Sequence, residues 1–301
     1  MTELPDLFPG YEARRFQTEG AEIFARVGGS GPPLLLLHGY PETHVMWHRI
    51  APALAERFTL VLPDLRGYGA SSAPPDDDGH RAYSKRTMAA DMMAVMTALG
   101  HQRFAVIGHD RGGRVAYRLA LDHGAAVERL VVLDIVTTYD IWHNFTHRLA
   151  MRMFHWPLLA QPVPVPEDLI AADAVRWLED RFRRGTKARS LDAIDTGALA
   201  HYRAFFTAPG RIAATCADYR AGAGIDLADD EADRAAGRKI ACPTRAVWGE
   251  TGNPSHMEDP LGLWRAWCDR IDGGTVPCGH FMAEEAPEAT LDMVLPFLSG
   301  S

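Results

Sequence analysis

One stretch, Val106-Ile107-Gly108-His109-Asp110-Arg111-Gly112-Gly113-Arg114, constrains the fold more than any other. The apolar run Phe104-Ala105-Val106-Ile107 leads into Gly-x-Asp-x-Gly, and a helical pattern with Val115, Leu119 and Leu121 apolar follows at once. Strand, sharp glycine-flanked turn and helix are the setting of a nucleophile elbow, in which backbones pass closely and the central side chain is pushed into a site. Here the central residue is a carboxylate, Asp110, and not a serine. A carboxylate nucleophile makes an ester from an alkyl carbon or an epoxide, so this residue narrows the chemistry as well as the fold.

The segments around the elbow repeat the same alternation. Residues 21–27 read as a strand, and Leu34-Leu35-Leu36-Leu37 has the unbroken apolar character of a strand covered on both faces. It runs into His38-Gly39-Tyr40-Pro41-Glu42, a loop able to aim backbone N–H groups at an oxyanion, with a helix starting through Trp47 and Ile50. Phe58–Leu62 is the next strand, and Asp64 and Arg66 after it read as an ion pair holding a loop. Thr87 to Leu99 is helical, and its stripe of Met88, Met92, Val95, Met96 and Leu99 is core packing. Leu130–Ile135 is a strand carrying Asp134 near its end.

From Tyr139 to about Tyr219 the alternation stops, and aromatic residues, arginines and prolines replace it. It resumes at Pro243–Gly249, with a helix at 261–268, a short strand at 274–277, the turn Cys278-Gly279-His280-Phe281 and a final helix at 289–298. This order predicts an α/β fold: a mainly parallel sheet flanked by helices, with an inserted helical cap that shuts the site from water. The expected division is a core from 1–137, a cap from 138–225 and a second part of the core from 226–301.

The chain has 301 residues, of which 47% are apolar, enough for one elaborated α/β unit. Its net charge is −8, and no block of lysine or arginine marks it for nucleic acid or an anionic membrane. Any anionic substrate must then be collected by a local basic cluster. The stretch from Met1 to Tyr11 lacks the apolar core of a signal peptide, and Cys216, Cys242, Cys268 and Cys278 form no Cys-x-x-Cys pair. A cytoplasmic protein with reduced thiols is the expectation, and no metal or cofactor is called for.

Asp110, Asp134 and His280 occur in the order nucleophile, acid, base, each just after a predicted strand, so all three should emerge along one edge of the sheet. The order is that of an α/β-hydrolase triad. Asp110 would displace a leaving group at carbon, and His280, oriented by Asp134, would activate the water that hydrolyses the ester. Glu250, after the strand ending at Gly249, competes with Asp134 for that orienting role. Backbone N–H groups of Tyr40 and Arg111 are the candidate oxyanion donors. Taken alone, His280 could be an ordinary loop histidine and His38-Gly39 an ordinary tight turn; the elbow gives both their functional reading. Arg111 and Arg114 lie three apart on one helix face, where cations oppose the helix dipole. Two guanidinium forks beside the nucleophile offset that cost by binding a substrate carboxylate, and they keep Asp110 ionised.

These motifs reach far enough to carry a resemblance. The chain resembles the fluoroacetate (haloacetate) dehalogenase group of the α/β-hydrolases, relatives of epoxide hydrolases. The likeness rests on His-Gly-Tyr-Pro-Glu-Thr-His-Val-Met-Trp-His (38–48), Asp-Leu-Arg-Gly-Tyr-Gly (64–69), Gly-His-Asp-Arg-Gly-Gly-Arg (108–114), Leu-Asp-Ile (133–135), His-Trp-Pro-Leu-Leu-Ala-Gln-Pro (155–162), Asp-Tyr-Arg-Ala-Gly (218–222) and Gly-His-Phe-Met-Ala-Glu-Glu-Ala-Pro (279–287). The resemblance implies that Asp110 is the nucleophile, His280 the base and Asp134 its partner, with Arg111 and Arg114 holding the carboxylate of a small anionic haloacid. It also implies a halide pocket of His155, Trp156 and Tyr219 and a homodimer formed through the cap. Neutral imidazole, indole and phenol donors suit a departing halide, because they stabilise it in a dry pocket without a charge to neutralise beforehand.

The cap departs from the group's pattern. Residues 173–190 carry Arg176, Arg181, Arg183, Arg184 and Arg189 with Trp177 as the only tryptophan, and Gly185 stands near where the group carries one. Two other functions fit parts of the pattern. An epoxide hydrolase shares the Asp and His but polarises its substrate with two cap tyrosines; Tyr219 could be one, and His155 stands where the other belongs. A non-catalytic ligand-binding protein of the same fold needs no intact triad.

Overall fold

In the computed structural model, which describes residues 4–300, the strands form one sheet. They are β1 (Glu12–Thr18), β2 (Ala21–Gly29), β3 (Pro33–Leu37), β4 (Thr59–Pro63), β5 (Phe104–His109), β6 (Val127–Leu133), β7 (Thr244–Gly249) and β8 (Ile271–Val276), in the order β1-β2-β4-β3-β5-β6-β7-β8. Met1, Thr2, Glu3 and Ser301 lie outside the described residues, and with them the start of the N-terminal stretch read above. The strands from β4 to β8 run parallel, and β1 and β2 add antiparallel pairings at one edge. Every residue of β5 and the four leucines of β3 are buried, as parallel strands between helical layers must be.

The chain leaves β3 for β4 on one side and returns past it to β5 on the other. Loops after β3 and β5 therefore diverge and leave a crevice at the carboxyl ends of the strands, the place where open α/β sheets bind ligands. Between the neighbouring strands β6 and β7, all regular structure among the described residues is helical, from Thr138–His143 to Ile225–Ala235. No described helix is long and apolar enough to cross a membrane, and all four cysteines are buried and unpaired.

Two local readings need correction. Asp64 and Arg66 do not pair with each other. Arg66 makes a two-pronged contact with Asp91 (2.6 and 2.7 Å), while Asp64 accepts from the backbone N–H of His44 (2.7 Å) and Ala70 (2.8 Å) and meets the His44 ring at 2.9 Å. Asp64 is enclosed by donors of two loops, and a carboxylate on the neighbouring helix offers Arg66 the better geometry. The helix expected through Trp47 and Ile50 is a 3-10 turn, His44–Trp47, followed by a short helix, Ala51–Ala55, because Thr43 caps the first segment and Pro52 starts the second.

Candidate active site

The elbow holds because two glycines leave no room for anything larger. A β-carbon on Gly108 would lie 2.5 Å from the Gly112 carbonyl oxygen, and one on Gly112 would lie 2.4 Å from that of His38. Between them Asp110 adopts φ +45°, an unusual conformation for a non-glycine residue that is maintained by this packing. Its Oδ1 accepts a hydrogen bond from the Tyr40 N–H at 3.1 Å, and its Oδ2 lies 3.7 Å from His280 Nε2. That second separation is too long for a hydrogen bond and leaves the imidazole free toward a water.

His280 Nδ1 lies 2.5 Å from Asp134 Oδ2. Asp134, at φ +54°, is itself fixed by the N–H groups of Gly249 and Asn253, each 3.0 Å away. Glu250 is exposed and pairs with Lys187 at 2.6 Å, so of the two candidate acids Asp134 is the one against the imidazole. The Tyr40 N–H meets the Asp110 carboxylate as expected, but the Arg111 N–H makes no hydrogen bond to it.

Burial alone would raise the Asp110 carboxyl, yet electrostatic interaction with His280, His109, Arg111 and Arg114 lowers it to about 2. Nothing in the local sequence marks His109 for a role, yet it lies against both Glu42 and His280. Burial favours its neutral form, but the Glu42 carboxylate, 2.9 Å from Nδ1, raises it to about 9, and Nε2 lies 2.8 Å from the His280 carbonyl. The Nδ1–Oε2 contact is close without good hydrogen-bond alignment, so its effect is mainly Coulombic.

The two arginines are buried behind the cavity wall, and they are not equally free. Arg111 gives Nε and Nη2 to Asp218 (2.8 and 2.7 Å) and lies over the Tyr219 ring at 4.3 Å, so its two-pronged edge is already occupied. Its Nη1 has no hydrogen-bond partner. Arg114 donates from Nη1 to the Val136 carbonyl and Thr138 Oγ1, both 3.1 Å away, lies over Trp156 at 4.5 Å and leaves Nε without a partner. Thus the expected pair of open forks becomes two cations, each with an unpaired buried N–H group. Asp218 also meets Lys85 and accepts from the Tyr68 hydroxyl at 2.6 Å. Asp218 stood in a quoted motif, but Lys85 gave no signal, because its partner is 133 residues away.

His155 and Trp156 open the helix His155–Leu159, and Tyr219 lies on the helix Arg211–Ala223. Their rings converge, with Tyr219 5.7 Å from His155 and 5.9 Å from Trp156 between centroids. Burial, then the charge of Arg181, holds His155 well below its usual range, and burial holds the Tyr219 hydroxyl well above its own. Both therefore stand neutral and able to donate. Trp177, another residue without an assigned role, donates its indole N–H to the Tyr40 hydroxyl at 2.6 Å. Asp110, His280, Tyr40, His155 and Tyr219 face a cavity of about 370 Å³ that reaches the surface beside the exposed Met151. Among the described residues no group of three or more His, Cys, Asp or Glu could hold a metal ion.

Residues 32–287 match the family described as alpha/beta hydrolase fold. Over 293 residues the chain is 40% identical to fluoroacetate dehalogenase of Burkholderia sp, covering 97% of this chain and 95% of that protein. It is 34% identical to soluble epoxide hydrolase of Corynebacterium sp. (strain C12), covering 90% and 91% of the two. Among solved structures, a candidate alpha/beta hydrolase from Nostoc sp PCC 7120 superposes with a TM-score of 0.94 at 46% identity, over 98% of this chain and 100% of that one.

Proposed function

The chain belongs to the alpha/beta hydrolase family, among relatives that include a fluoroacetate dehalogenase and epoxide hydrolases, and from that premise we propose that it hydrolyses the carbon–halogen bond of small 2-haloacids such as fluoroacetate or chloroacetate. The observation that carries this reading is the pair Arg111 and Arg114, buried cations with unpaired N–H groups next to an ionised carboxylate nucleophile. Such groups are costly to bury unless an anion completes them. A substrate carboxylate does so, and it brings the neighbouring carbon to Asp110.

The steps follow from the geometry. An Asp110 oxygen attacks the 2-carbon, a C–O bond forms, the C–halogen bond breaks, and the halide leaves with the bonding pair toward His155, Trp156 and Tyr219. A water beside His280 Nε2 then loses a proton to the imidazole and attacks the Asp110 carboxyl carbon. Asp134 stabilises the resulting imidazolium. The Tyr40 N–H, already 3.1 Å from Oδ1, supports the oxyanion. His280 returns the proton to the departing alkoxide, giving glycolate, and the Asp110 carboxyl, left with the water's second proton, releases it to solvent and is regenerated as the carboxylate. Helices of residues 138–225 act as the cap that supplies the halide side of the site, and the working molecule is a homodimer joined through that cap.

Epoxide hydrolysis is the second reading, supported by the Corynebacterium relative and by Tyr219 in the cap. His155 in place of a second tyrosine and the unpaired arginine groups weigh against it. Incubation with fluoroacetate, chloroacetate and a styrene-type epoxide, following halide and diol, separates the two. Halide from the haloacetates is expected; diol alone would reverse the assignment, and neither product would favour a ligand-binding protein.

A further inference from the structure

Five arginines, Arg148, Arg152, Arg181, Arg184 and Arg189, line the cavity above Asp110, and among the described residues Asp110 is the only carboxylate on its wall. Outside the wall one acid serves two of them: Asp180 lies 2.6 Å from Arg181 Nη2 and 2.7 Å from Arg184 Nε. The other three have no ion pair among the described residues. Arg152 donates to Asn253 Oδ1 and the Thr251 carbonyl, Arg189 donates to the Arg184 carbonyl, and the Arg148 guanidinium makes no hydrogen bond among the described residues. Arg181 is only 7% exposed, lies over the rings of Phe154 and Trp177 at 4.7 and 5.0 Å, and leaves Nε unpartnered. A chain with net charge −8 thus concentrates uncompensated positive charge at the mouth of one cavity. Guanidinium groups crowded in this way repel one another until an anion joins them.

This cluster is distinct from Arg111 and Arg114, which lie behind the same cavity. There is also more room than a two-carbon acid fills. The cavity's 370 Å³ compares with a volume of only a few waters, at about 30 Å³ each, for such an acid.

We propose that the preferred substrate is a 2-halo dicarboxylate, such as a 2-halosuccinate or 2-haloglutarate, whose distal carboxylate is bound by the guanidinium groups at the mouth. This rests on the haloacid reading of the same site. The reacting end meets Asp110, Arg111 and Arg114, and the planar forks of the mouth suit a second carboxylate. Water is the only co-reactant, and the products are a 2-hydroxy dicarboxylate, halide and a proton.

Halide release by the purified protein from chloroacetate, 2-chlorosuccinate and 2-chlorobutyrate tests this, the last having similar length without a distal charge. The expected kcat/KM for 2-chlorosuccinate is at least about tenfold that for 2-chlorobutyrate, the size of one charge-assisted contact. The double variant Arg148→Gln/Arg189→Gln, two exposed positions, should lose that preference and keep chloroacetate turnover. Equal kcat/KM for the two longer substrates overturns the proposal, as does a double variant that slows all three acids alike, which would mark general anion attraction. In either case chloroacetate turnover leaves the haloacid reading standing; no halide from any acid removes both.

Discussion

A carboxylate attacks carbon only when it is ionised on arrival of the substrate, and the residues around Asp110 secure that far into the acid range. Acid inactivation of this protein should therefore reflect another group. Asp110→Asn is expected to reduce halide release to background. His280→Ala should still allow displacement but not hydrolysis, so mass spectrometry of the quenched variant should find a carboxymethyl ester on Asp110; an unmodified Asp110 would exclude the covalent route. A second buried acid carries a pH signature. Glu284 accepts from the Tyr202 hydroxyl at 2.6 Å, and burial, with Glu42 nearby, pushes it up to about 8 from an ordinary 4.5. Between those values the folded state holds a proton that the unfolded chain has lost. Its stabilising contribution is full below the unfolded value and disappears as pH rises through the folded one. Denaturant midpoints at pH 6 and pH 9 should accordingly differ less in Glu284→Gln than in the parent, and an unchanged difference would mean that Glu284 is already ionised. Asp110, Asp134 and His280 were legible in the sequence because each follows a strand. Glu42 with His109 was not, since nothing local signals a pairing across the crevice.

Elements carry the next layer of consequence. The parallel strands announced themselves through apolar runs, whereas β1 did not: of its seven residues only Phe16 is buried, so no alternation marks it. The helix Asp110–Asp122 presents Arg114 to the site, and Arg114→Leu should lower kcat/KM for chloroacetate by roughly 10- to 100-fold, the worth of a charge-assisted contact. Turnover of a neutral epoxide, where measurable, should change far less; equal losses would make Arg114 structural. At the end of the helix Ala174–Gly185, a β-carbon on Gly185 would stand 2.4 Å from the Phe281 ring, itself packed 4.7 Å from Phe182 and 5.0 Å from His280 between centroids. Gly185→Ala should cost about 1–3 kcal/mol of stability and reduce turnover, because the ring cannot yield without disturbing the base. A thermal-unfolding scan beside a halide assay reads both effects.

At the scale of the whole molecule, composition sets the expectation that an anion would need a local basic cluster. The arginines of 173–190 were visible as a departure from pattern, but Arg148 and Arg152 join them only through folding. The same helical segment leaves Val163, Val165 and Leu169 exposed, between 49% and 69%, which suits the proposed dimer. Leu169→Glu is expected to convert a dimer to monomers in light scattering after gel filtration, and a parent that is already monomeric would end that proposal. Asp218, finally, belongs to the insertion, while its partners Lys85, Arg111 and Tyr68 belong to elements around the sheet. Swinging the insertion away would strand Asp218 and Arg111 without counter-charge and leave Lys85 only Asp226 at 3.2 Å, a cost of several kcal/mol for such a cluster. The site therefore has a window and not a door. Traffic through a window needs only side-chain rearrangements, on picosecond to nanosecond scales, with no hinge motion of microseconds or more.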